Sequence, residues 1–141
     1  MNSNNLSDYY YNHSFMERLR KRLPEILPNT YCIVAIDIEH FRLFNKLYGR
    51  SSGDEVIRYI YTCLKQSALE YDGIDAYLGG DNFVAFLPDD DEVLNNIRQK
   101  IIKKFSEWNN TSAFFPLFGV YTIKDTSVLP ELMYDHAMLA L

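Results

Sequence analysis

Two adjacent glycines, Gly79 and Gly80, separate short apolar runs over 75–78 and 83–87 and are followed at once by Asp81 and Asn82. Glycine enters left-handed backbone conformations that other residues avoid, and Gly, Asp and Asn are the residues of tight hairpins. The pattern predicts an antiparallel hairpin with a carboxylate at its tip. A second run, Tyr31 to Ile38, is apolar at successive positions except Asp37, which predicts a strand buried on both faces with an acid near its end. Two acids brought together at strand ends form a site for a hard cation and, through it, for phosphates.

With 141 residues the chain is expected to be a single domain over 1–141, large enough for a core without staples. The net charge is −5, which argues against a broad nucleic-acid or anionic-membrane footprint while leaving room for a small phosphorylated ligand. Cys32 and Cys63 lack the close spacing of a metal or redox pair and read as buried thiols. No export signal opens the sequence and no apolar segment approaches membrane-spanning length, so a soluble, cytoplasmic domain is expected.

Residues 1 to 11 read as an irregular lead-in. Ser14 would cap a helix running to Leu23, and Phe41 to Tyr48 a short helix closed by Gly49. Ser52, Gly53 and Asp54 would open another helix reaching Leu69, with Val56, Ile57, Ile60, Leu64 and Ala68 on its inner face. A helix over 92–108, an aromatic strand over 113–123 and a final helix from Ser127 or Pro130 still running at Leu141 complete the pass. This order implies an α/β sandwich, one sheet with helices packed on it. The amphipathic face of Met133, Ala137, Met138 and Leu141 carries no stop signal, so the helix is expected to be cut short.

Several segments together resemble the GGDEF family, the diguanylate cyclase domains of bacterial cyclic di-GMP signalling. Asn12-His13-Ser14-Phe15 is similar to the family's Asn-Arg-x-Phe, and Asp37 to Asn45 to its Asp-x-Asp-x-Phe-Lys-x-x-Asn. Gly49 to Asp54 resembles Gly-His-x-x-Gly-Asp, and the signature reads Gly79-Gly80-Asp81-Asn82-Phe83. Phe118-Gly119-Val120 and Asp135-His136-Ala137-Met138 resemble two later segments. The resemblance implies a mostly antiparallel, five-stranded α+β sheet like the palm of nucleotide cyclases. It further implies two GTP-loaded domains facing each other as a homodimer, with magnesium at the phosphates.

Carried onto this chain, the resemblance makes Asp37, the backbone carbonyl of Ile38 and Asp81 metal ligands, with Asp81 and Asn82 at the catalytic positions. Asn45 and Asp54 match the residues that read guanine, a role an amide and a carboxylate suit chemically. Read alone, Asn45 equally suits a cap on its helix, and Asp54 suits stabilising the start of the next. Arg42 and the amides around His40 and Phe41 would hold phosphates, with Gly79 and Gly80 allowing close approach. The departures are specific: Asn82 replaces an acid, Glu39 and Lys46 replace acids, Arg50 a His, and Tyr77 an Arg. Residues Glu70 to Gly73 lack the Arg-x-x-Asp of the family's product-inhibition site.

An amide cannot hold negative charge or take a proton at neutral pH, so Asn82 implies a degenerate member. The expected function is a GTP-binding, regulatory or dimerising module with little or no cyclase activity. Two alternatives stand beside it: an active cyclase, and a ligand-free interaction scaffold using Tyr9, Tyr10, Tyr11, Phe114 and Phe115. By family analogy an EAL phosphodiesterase domain would follow Leu141.

Overall fold

The computed structural model describes residues 11–108 and 114–141. Tyr9, Tyr10 and all of the predicted lead-in except Tyr11 lie outside them. Among the described residues, five α-helices and four strands follow in the order α1 (His13–Arg22), β1 (Tyr31–Ile38), α2 (Phe41–Tyr48), α3 (Arg50–Glu70), β2 (Ile74–Gly79), β3 (Asn82–Pro88), α4 (Asp91–Phe105), β4 (Pro116–Thr122) and α5 (Pro130–Leu139). The strands form one antiparallel sheet in the order β2-β3-β1-β4.

β1 lies at the centre because its side chains are apolar on both faces, and residues 32–36 and 38 are all buried. Val34, Ile36 and Ile38 point with Phe83 and Ala85 toward α2, α3 and α4. Ile33 and Ala35 point with Val84 and Phe86 toward α1 and α5. Each helix delivers an apolar stripe to one of these faces, such as Val56, Ile60 and Leu64 of α3 or Phe15, Met16 and Leu19 of α1.

Short helix α2 is anchored by one residue. Phe44 is fully buried and meets Phe105, Trp108 and Phe114 edge-on, each at 5.2 Å between ring centres, with Tyr48 at 5.0 Å. Edge-to-face rings gain from their quadrupoles beyond the area they bury.

Several expectations need correction. The sheet has four strands among the described residues, not five: after β4 the chain runs through a loop with a turn at Thr126 and Ser127 and enters α5. α1 is capped by Asn12, whose side chain accepts from the Phe15 N–H at 2.8 Å, rather than by Ser14. α3 begins at Arg50 because Gly49, at φ +89°, already makes the corner, so Gly53 lies inside the helix. α4 ends at Phe105 and passes into a 3₁₀ turn over Ser106–Trp108. β4 starts at Pro116, which an edge strand tolerates at its first position. α5 ends at Leu139 rather than running to Leu141. Of the aromatics named for an interaction surface, Phe114 is buried, Phe115 is half-buried, Tyr11 is half-buried and edge-on to Tyr134 at 5.7 Å, and Tyr9 and Tyr10 lie outside the described residues.

Candidate functional site

The hairpin of β2 and β3 turns through Gly79 and Gly80, at φ +98° and +57°, with a register shift between Tyr77 and Gly79. Gly79 pairs with Asn82, which leaves Gly80 and Asp81 at the tip. β3 also pairs with β1, Ile36 lying opposite Phe83. Two steps further along both strands, past Asp37 and Asn82, Asp81 therefore arrives beside Ile38.

The two carboxylates meet at one backbone group. The Ile38 N–H donates to Asp37 Oδ1 at 2.8 Å and to Asp81 Oδ2 at 3.1 Å. Burial, then the hydrogen bond and charge of Asp81, push the Asp37 carboxyl up to about 6, with Glu39 adding and the Ile38 N–H opposing. Two acids held this close repel, and a divalent cation between them removes the conflict. Among the described residues no group of three or more His, Cys, Asp or Glu side chains is placed to hold a metal. A cation here would complete its shell with carbonyl, phosphate or water oxygens, which is how magnesium is commonly held. The donor set fits that ion. Ile38 holds the two carboxylates with its N–H, a contact separate from the carbonyl role that the resemblance implies.

The phosphate-side residues follow directly. His40 takes a left-handed conformation, φ +60° and ψ +30°, unusual for a residue with a side chain and common at functional sites. It starts α2 without a side-chain cap, so no capping side chain takes the first-turn N–H groups around Phe41. Arg42 is exposed on the same turn.

Asn45 projects from α2 onto α3. Its Oδ1 is buried without a hydrogen-bond partner, an arrangement that costs about 1–3 kcal/mol unless a ligand supplies the donor. Helix capping is thus not what its side chain does. Gly53 makes the fit possible: a Cβ there would collide with Asn45 Oδ1 and crowd the Phe41 ring. Asp54, the next residue, is exposed and lies past the first turn of α3, which holds no acid, so it does not sit where it would stabilise the helix start. If the domain holds guanosine through Asn45, as the resemblance implies, Gly53→Ala is expected to displace that amide and weaken binding by about tenfold or more, read by isothermal titration; unchanged affinity would exclude Asn45 from base contact.

Tyr77 joins the two halves of the site. Its hydroxyl donates to the Gly80 carbonyl at 2.6 Å, and its ring packs on Phe83 with centres 5.0 Å apart. Burial first, then the charges of Asp54 and Asp81, raise its phenol above the usual value, so both carboxylates lie near it. Tyr77 also closes one end of a groove of about 570 Å³ that passes Ile57, Arg58 and Tyr61 of α3 and Arg18 of α1. This groove lies beside the carboxylate pair rather than over it.

Gly53, Tyr77 and Glu39 are the residues that candidate-site reasoning missed. The Gly49-x-x-x-Gly53 spacing was the available signal for the first. Where the family would place its product-inhibition arginine, the surroundings are acidic: burial, then Glu70, Asp90 and Glu92, raise the Tyr71 phenol. No helix among the described residues is long and apolar enough to cross a membrane.

Comparison with known proteins agrees with this fold. A family profile described as "Diguanylate cyclase, GGDEF domain" matches residues 6–136. The probable diguanylate cyclase DgcT of Escherichia coli (strain K12) is 28% identical over 86 residues, 61% of this chain and 19% of that protein. The uncharacterized protein YhcK of Bacillus subtilis (strain 168) is 32% identical over 82 residues, 55% of this chain and 23% of that protein. These matches span about a fifth of the length of the curated relatives. Among solved structures, the GGDEF domain of DgcB from Caulobacter crescentus, in complex with c-di-GMP, superposes with a TM-score of 0.71 at 21% identity. That superposition covers 92% of this chain and 79% of the other.

Proposed function

Because this chain belongs to the diguanylate cyclase GGDEF domain family, we propose that it is a degenerate member: a guanine-nucleotide-binding regulatory module of cyclic di-GMP signalling that forms little or no product. The observation that carries this reading is the convergence of Asp37 and Asp81 on the Ile38 N–H, with an amide, Asn82, in the next position.

In the family reaction two nucleotide-loaded domains face each other, the 3′-hydroxyl of one GTP attacks the α-phosphate of the other, and pyrophosphate leaves. Bound magnesium supplies positive charge at the phosphates and makes the hydroxyl more acidic. On this chain Asp37 and Asp81 would hold that ion, with the Ile38 carbonyl as a third oxygen. The amides around His40 and Phe41, with Arg42, would cradle the phosphates. The orphaned Oδ1 of Asn45 would accept from the purine edge, and Asp54 would accept from guanine N1 and N2 hydrogens. Asn82 supplies neither charge nor a proton acceptor, so the nucleotide is held with its hydroxyl poorly activated. Losing one such electrostatic group typically costs 10²–10³-fold in rate.

A working cyclase is the second reading, favoured by the intact carboxylate pair. Titrating GTP with magnesium into the protein, then assaying cyclic di-GMP, separates the two. The expected result is micromolar to millimolar GTP binding, with product formation absent or at least 100-fold below that of Asn82→Glu. Turnover by the unmodified chain at a rate matching that variant would establish the second reading. Failure to bind GTP at all would remove both.

A further inference from the structure

We propose that Tyr77 is the positioning residue for the cation-binding turn: its hydroxyl ties the Gly80 carbonyl to β2 and so holds Asp81 against Ile38 and Asp37. The inference rests on the reading of Asp37 and Asp81 as a cation site, and adds to it the group that sets the site's geometry.

The turn needs such a tie. Gly79 and Gly80 are consecutive left-handed glycines, the residues that lose most freedom when ordered. Backbone pairing is irregular just before them, with the register shifting between Tyr77 and Gly79. A Cβ at Gly79 would meet no atom within 4 Å, so no packed side chain confines the backbone there. What crosses the irregular stretch is the Tyr77 hydroxyl, at 2.6 Å from the Gly80 carbonyl oxygen. The donor end is fixed in turn, because the Tyr77 ring packs on Phe83 and Phe83 is fully buried beneath α2 and α3. The sequence Phe83, Tyr77, Gly80, Asp81 is thus a chain of contacts from the core to the carboxylate.

Position matters here more than strength. Magnesium demands near-ideal octahedral ligand geometry at about 2.1 Å, calcium accepts irregular shells, and manganese, closer to magnesium in size, lies between them. Loosening the turn therefore penalises the small ions selectively. The Tyr77 ring need not change for this: phenylalanine preserves its packing on Phe83 and removes only the tie.

The test is a titration of manganese(II), followed by electron paramagnetic resonance, into the unmodified protein and Tyr77→Phe, with calcium as competitor and melting temperature recorded on each sample. The expected result is a roughly fivefold loss of manganese affinity in the variant, about the worth of one net hydrogen bond. Calcium affinity should fall less, and melting temperature should fall by no more than about 5 °C, the loss of one hydrogen bond already present without the ion. Equal manganese affinity in the two proteins overturns the proposal. So does an equal loss for both ions, or a drop in melting temperature well beyond that, since either marks general destabilisation. If the unmodified protein binds no manganese, the cation-site reading itself fails, which is a different result from any of these.

Discussion

Phe44→Ala is expected to lower the stability of the domain by about 3–5 kcal/mol, the range for removing a buried phenylalanine whose surroundings cannot collapse onto the gap. Collapse is hindered because the ring's neighbours come from separate parts of the chain: Phe105 from α4, Trp108 from the turn after it and Phe114 from the approach to β4. For a domain of this size the melting temperature should fall by roughly 10 °C or more. Urea denaturation, with the midpoint moving at constant slope, measures it. The loss also reaches the site, because Asn45 follows Phe44 directly and depends on α2 seating against Gly53. Guanosine affinity should drop in any fraction that remains folded. A loss below about 1.5 kcal/mol would mean that the aromatic cluster repacks around the gap.

Asp81→Asn is expected to act in opposite directions on two measurements. Divalent-ion affinity should fall about 100-fold or more, since even outer partners of metal ligands are worth 10–100-fold and this removes one of two charged ligands. Metal-free stability at pH 7 should rise. Asp37 has its carboxyl raised from 3.8 to about 6 in the folded protein, by burial and then by Asp81. A folded value above the unfolded one means that this contribution to stability is fully present below about pH 4 and is lost as pH rises through about 6. Removing Asp81 returns part of it. Because Asp37 is partly exposed, solvent screening limits the gain to about 1 kcal/mol. Thermal melts at pH 4 and pH 7, without and with magnesium, check both signs. The variant should melt higher than the unmodified protein at pH 7 without the ion, and magnesium should raise only the unmodified one. A variant less stable at pH 7 would show that the two acids are not in conflict.

Much of this arrangement could be read before any coordinates, for local reasons. The hairpin follows from Gly79-Gly80-Asp81, and the central strand from a run apolar on both faces. The meeting of Asp37 and Asp81 follows once both strands are placed at neighbouring ends. What escaped depends on contacts between distant segments. Gly53 reads as a helix opener until Asn45 is seen packed against its Cα side. Tyr77 reads as a lost arginine, because nothing in its neighbours reveals that its hydroxyl reaches the carbonyl three residues on. The fifth strand came from the family pattern alone, and the segment after β4 turns into α5 instead. Ser14 lost the cap to Asn12 because either residue type can cap a helix, and only the chain's entry angle decides.

The two helical layers touch different sides of the same central strand, Ile33 and Ala35 facing one and Val34, Ile36 and Ile38 the other. The neighbouring strand β3 is shared in the same way, Phe83 and Ala85 facing one layer and Val84 and Phe86 the other. The spacing of Asp37 and Asp81, at the ends of these two paired strands, is therefore set by the packing of both layers at once.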